Sequence, residues 1–198
     1  MNVLVTDPTA YREAGDVAAR VRRLLHADLV AFAQPHGADD TDGSALVFDT
    51  GAGVFPAAAP EGVLPLVMLT CDHFDWDAEL LVLTEGPETW SCHAERLGDQ
   101  PKDELDAFFS FDLACGPRPA PLLEIVGAAV PSLVWFREAS RFYSLTQQAI
   151  RKDARVNGEF TFASMVRELY LSHANVAYQC DDRRPLRATT RVLDSAFS

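Results

Sequence analysis

The sequence predicts a layered α/β fold with a mostly parallel central sheet. Three observations carry that expectation. Strand-like and helix-like stretches alternate along the chain, the pattern of strands joined by crossover helices. Residues 64–70 are almost continuously apolar, as in a strand covered on both faces. And 48% of the 198 residues are hydrophobic, enough for a sizeable core in one domain spanning 1–198.

Residues 1–6 read as the first strand. They carry no basic stretch ahead of a long apolar one, so they do not read as a signal peptide. Residues 12–26 read as an amphipathic helix: Ala14, Val17, Ala18, Val21, Leu24 and Leu25 recur at three and four, with Arg12, Arg20, Arg22 and Arg23 mainly on the other face. Strands are expected at 28–33 and 45–48, and an irregular Gly/Ala/Pro stretch at 51–62. The apolar run 64–70 reads as the most buried strand, ending in Cys71 and Asp72. Strands follow at 79–84 and 90–95, and a weak one at 106–113. Three prolines make 115–121 a loop. Residues 132–137 read as a strand and 138–152 as a helix. A second helix is expected at 160–173, a strand at 175–179 and a terminal helix at 189–197.

The formal net charge is -12. A surface that acidic repels phosphate backbones and anionic lipid, so nucleic acid and membrane are excluded as expected partners. No apolar run reaches the ~20 residues of a bilayer span. Cys71, Cys92, Cys115 and Cys180 are widely spaced and form no C-x-x-C pair. They are expected to be reduced thiols of a cytoplasmic protein.

Four segments, in order, resemble one family. Residues 65–77 run through an apolar stretch to Asp72, then Trp76-Asp77. Val134-Trp135-Phe136-Arg137 forms a strand ending in an aromatic and a basic residue. Asn157-Gly158-Glu159-Phe160 opens the helix that contains Glu168-Leu169. Pro185 to Phe197 forms the tail. This pattern is similar to the sugar nucleotidyltransferases, the nucleotide-sugar pyrophosphorylases and related capsule enzymes. The resemblance implies a Rossmann-like, GT-A-like three-layer sandwich (nucleotide-diphospho-sugar transferase-like). It also implies a nucleotide-sugar or sugar phosphate as ligand, and Mg²⁺ or Mn²⁺ held by Asp72. Sugar contacts are implied for Glu159, Asn157 and Gly158.

The same resemblance marks what is missing. The family opens with a Gly-rich phosphate loop, where glycines let backbone N–H groups approach the phosphates. Here the first strand runs into Asp7-Pro8-Thr9-Ala10-Tyr11, with no glycine before Gly15. The family's catalytic lysine has no counterpart either, so no catalytic residue is assigned.

The residues have plainer readings as well. Asp72, with His73, Asp75 and Asp77, offers hard oxygen ligands suited to Mg²⁺, or equally a polar turn. Glu159 near a helix start also offsets the helix dipole. Asn157-Gly158 is a turn pair. His26, His36, His93 and His173 are scattered and read as surface or satisfied histidines. Three functions stay open: an enzyme acting on a nucleotide-sugar, a non-catalytic descendant that binds a ligand or partner, and metal-assisted chemistry at the Asp72 cluster. Self-association into a homo-oligomer fits the second.

Overall fold

The computed structural model describes residues 1–6, 14–35, 44–48, 54–57, 63–68, 74–84, 88–113, 120–180 and 186–188. The strands are β1 (Asn2–Val5), β2 (Leu29–Pro35), β3 (Ser44–Phe48), β4 (Val54–Ala57), β5 (Leu80–Leu83), β6 (Ala107–Phe111), β7 (Leu133–Phe136), β8 (Val176–Cys180) and β9 (Leu186–Ala188). The helices are α1 (Ala14–Leu25), α2 (Val63–Met68), α3 (Trp90–Gly98), α4 (Leu122–Ala128), α5 (Ala139–Arg151) and α6 (Phe162–Leu171). One sheet runs in the order β4-β3-β2-β1-β5-β7-β6-β8-β9.

Side-chain alternation along the strands builds two cores. Leu4, Val82, Phe109, Val134 and Tyr178 point to the face covered by α2, α4, α5 and α6. Val3, Val5, Leu81, Phe108 and Trp135 point to the face covered by α1 and α3, where they meet Val21, Trp90 and Leu97. The first core is the more aromatic. Phe136 stands edge-on to both Phe109 and Phe142, with centroids 6.4 and 5.2 Å away. Helices on both faces of a sheet make this an α/β sandwich, consistent with a Rossmann-like fold.

The sheet is not mostly parallel. Among the described strands, three pairings are parallel and five are antiparallel. Two causes account for this. The outer strands β3, β4 and β9 pair antiparallel with the strands next to them in sequence. And β7 runs against both β5 and β6. It starts from the edge where β6 ended.

Three other expectations need correcting. Residues 64–70 were to be a buried strand, but Val63–Met68 is helix α2. A short apolar run does not separate strand from buried helix by period. Pro65 decides it, since proline has no N–H for a central strand ladder yet fits a helix's first turn. Residues 90–95 belong to α3, where Trp90, His93 and Leu97 are buried at helical spacing. Within 51–62, Val54–Ala57 forms an edge strand, where Pro56 is tolerated. The terminal helix expected at 189–197 lies outside the described residues. Three helices end without glycine: His26, Asp153 and His173 take the left-handed conformation just beyond α1, α5 and α6.

Cys180 is disulfide-bonded, to a partner outside the described residues, while Cys92 is free and exposed. The expectation of four reduced thiols therefore fails. No described helix is long and apolar enough to cross a membrane.

Candidate functional site

The parallel strands β1, β5, β6 and β8 end at one edge of the sheet, its carboxyl edge. Chain order reverses around β1, which has β2 on one side and β5 on the other. Ligands of open α/β sheets gather at that kind of reversal. At this edge the amide of Thr84, just past β5, donates to Ser132 O at 3.1 Å. Its Oγ1 donates to Pro131 O at 2.5 Å. These bonds fix the loop between α4 and β7 over the end of β5.

Against that loop stands a tight turn. Val156 and Glu159 pair as a one-bridge hairpin with reciprocal backbone bonds of 2.8 and 3.1 Å. Between them, Asn157 and Gly158 have φ of 54° and 87°. Both central residues at positive φ is the geometry that favours an Asn-Gly pair. The turn leads into α6 through Thr161, whose amide donates to Ser164 Oγ at 3.2 Å. The Phe160 carbonyl accepts the amide of Leu64 at 3.2 Å, which ties α2 to the same place.

Together these segments enclose a cavity of about 270 Å³, lined among others by Val63, Pro131, Asn157, Glu159, Thr161 and Phe162. Asn157, Gly158 and Glu159 are all exposed. Of the three residues singled out for sugar contact, Asn157 and Glu159 line the cavity. Gly158 supplies the turn, and its carbonyl accepts from Arg155 Nη1 at 3.1 Å. The apolar wall of Val63, Val126, Val156 and Phe162 suits a sugar ring face, and the carboxylate and amide suit hydroxyls. No family model matches this chain, and no curated protein matches it.

The predicted metal cluster fares differently. Asp72 and His73 lie outside the described residues, and the strand expected to end at Asp72 is helix α2. Asp75 and Asp77 sit at the opposite, amino edge of the sheet. Asn2 Nδ2, at the start of β1, donates to Asp75 O at 2.7 Å. The Asp75 carboxylate accepts the amide of Asp77 at 3.1 Å, an Asx turn. Trp76 is half exposed and its ring lies 5.7 Å from that of Tyr143. Asp75 and Asp77 therefore do not join Glu159. Among the described residues no three His, Cys, Asp or Glu side chains gather to hold a metal. The described cavity, with one carboxylate, does not by itself fit a divalent ion.

Behind the carboxyl edge, on the α3 face, lies a polar cluster that sequence reading did not assemble. His93 Nδ1 is 2.7 Å from Ser110 Oγ. Arg96 Nη1 donates to Ser110 Oγ at 3.4 Å and to Phe111 O at 3.2 Å. Arg96 Nη1 also lies 3.4 Å from His93 Nδ1, so one guanidinium nitrogen touches the serine, the histidine and the backbone. Burial first, then the Arg96 charge, hold the His93 imidazole down to about 4, with Asp112 opposing. The contact resembles a serine beside its base. Ser110 is 0% exposed and His93 1%, so no substrate reaches it, and the cluster is structural.

Proposed function

We propose that this protein binds a nucleotide-sugar or sugar phosphate in the cavity beside the 156–159 turn, with Glu159 and Asn157 accepting and donating hydrogen bonds to sugar hydroxyls. The observation that carries the reading is the pairing of that turn with the α4–β7 loop at the carboxyl edge, next to the reversal in strand order. The Asn-Gly-Glu-Phe resemblance to sugar nucleotidyltransferases falls on the same residues. A nucleotide-diphospho-sugar transferase-like version of the α/β sandwich is the fold this reading takes.

The roles divide by chemistry. Glu159 presents an exposed carboxylate, an acceptor for two hydroxyls of one ring. Asn157 offers both donor and acceptor. No lysine is among the described residues lining the cavity, and positive charge on the phosphates is what phosphoryl transfer needs. That lining favours a binding role over turnover, the non-catalytic descendant being the second reading. Mg²⁺ or Mn²⁺ at Asp72 is proposed from the resemblance alone.

Thermal melting with a panel of nucleotide-sugars, with and without Mg²⁺, tests this. A ligand at a hundred times its Kd stabilises by about 2.7 kcal/mol, or about 5–10 °C for a chain of this size. Glu159→Gln is expected to shrink the shift. No shift across the panel, or one indifferent to Glu159→Gln, ends the sugar reading. A Mg²⁺-dependent shift lost in Asp72→Asn would support the metal.

A further inference from the structure

We propose that the sugar taken by the cavity beside the 156–159 turn is a 6-deoxyhexose, its methyl group lying against Val130. The inference rests on the sugar reading above and narrows it. Among the described residues, the lining divides by origin into two walls. All its polar side chains, Asn157, Glu159 and Thr161, come from the short segment 157–161. The wall supplied by Val63 of α2 and by residues 126–131 of α4 and the α4–β7 loop carries no polar side chain. A ligand that fills this space needs hydroxyls on one edge and an apolar group on the other.

Size limits what enters. The cavity holds about 270 Å³, below the roughly 300–1,000 Å³ that encloses a whole drug-sized ligand. It takes the sugar end of a nucleotide-sugar, and the Glu159 carboxylate turns the diphosphate outward. A carboxylate that accepts from the 2- and 3-hydroxyls leaves the C5 substituent across the ring, toward the apolar wall. A hydroxymethyl group there loses its water without gaining a side-chain partner, whereas a methyl group loses nothing.

Val130 is the residue of that wall with apolar surface left to cover, since it is 66% exposed. Its backbone is held all the same. Pro131 keeps the residue before it out of helix, and α4 ends at Ala128. The Pro131 carbonyl accepts Thr84 Oγ1, and the next amide, that of Ser132, donates to Ser110 O at 2.8 Å. Pro131 itself has no N–H to offer a hydroxyl. An apolar side chain on a fixed loop selects by fit rather than by rearrangement.

Isothermal titration of the full chain tests this with two matched pairs, dTDP-glucose against dTDP-6-deoxyglucose and GDP-mannose against GDP-6-deoxymannose. Within each pair only the C6 hydroxyl differs. In at least one pair the 6-deoxy member should bind about tenfold tighter. Val130→Ser should cut that preference to about twofold or less, and Val130→Leu should keep it. Val130 is exposed, so neither change disturbs the core, and an unchanged melting temperature of the free variants checks this. Equal binding within both pairs, tighter binding of the hydroxymethyl member, or a preference undiminished in Val130→Ser overturns the inference. If nucleotide-sugars bind and weaken in Glu159→Gln without discrimination at C6, the sugar reading stands and this inference falls. If none binds, both fall.

Discussion

The two edges of the sheet use their polar groups in opposite ways. At the amino edge they are tied to one another. Asp106 takes Arg141 on one carboxylate oxygen at 3.1 Å and the amide of Asn175 on the other at 2.8 Å. Arg137 donates to the carbonyls of Lys102 and Asp103 at 3.2 and 2.8 Å. The start of α5 is anchored by Ala139 and Ser140 amides on Ala78 and Trp76 carbonyls. At the carboxyl edge the turn carrying Asn157 and Glu159 stands open beside a cavity. The same strands thus end in a stitched seam on one side and an accessible mouth on the other. A polar residue's type does not say which use it serves; its place along the strand does.

The buried cluster behind the open edge tests that distinction most strongly. His93 stays neutral in the folded protein down to about pH 4, whereas the unfolded chain takes up its proton near the ordinary 6.5. Between those values the unfolded state binds more protons. Stability therefore falls as pH drops, by about 1.4 kcal/mol per unit and roughly 3 kcal/mol in all. Above pH 6.5 this contribution is constant. Denaturant titrations at pH 7 and pH 5 should show the loss, and His93→Gln should remove that part of it. An equal slope in both proteins would mean His93 is not the closed, neutral residue the geometry requires.

The amino-edge seam comes next. Asp106→Ala removes a partly buried ion pair and the acceptor of the exposed Asn175 amide. Discounted for solvent, that costs about 2 kcal/mol, a melting point lower by about 4–8 °C. Asp106→Asn keeps an acceptor for Asn175 and should recover part of it. No loss in Asp106→Ala would show that the seam is a surface decoration.

Sequence patterning carried β1, β2, β5, β6, β7, β8, α1, α5 and α6, because each has a period or a length that one structure satisfies. It misplaced α2, where a six-residue apolar run has no usable period and only Pro65 argued against a strand. It misplaced α3, whose buried face holds His93 and Arg96 beside Trp90 and Leu97, so the apolar count looked too low for a helix. It overestimated parallel pairing because β7 and the outer strands run against their neighbours, and no local pattern of residues encodes strand direction. The turn of the candidate site was legible, since Asn-Gly names its own backbone. The place of the α4–β7 loop beside it was not, because that contact joins residues distant in sequence. Asp75 and Asp77 showed the reverse error: neighbours in sequence that the fold sends to the wrong edge for Glu159.

The turn itself separates backbone from side-chain effects at the open edge. A methyl group at Gly158 meets nothing within 4 Å, yet φ there is +87°. Gly158→Ala should therefore cost only the strain of a left-handed residue, about 1 kcal/mol, readable as a small fall in melting temperature. Glu159→Gln should cost less again, within about 0.5 kcal/mol, because the side chain is exposed and has no core contact to lose. What Glu159→Gln should lose is ligand stabilisation. The pair is informative because the outcomes differ in kind. If Gly158→Ala weakened ligand binding as much as Glu159→Gln, turn geometry would be positioning the ligand. If Glu159→Gln destabilised the free protein by several kcal/mol, its carboxylate would be part of the scaffold, and the open edge would be no different from the stitched one.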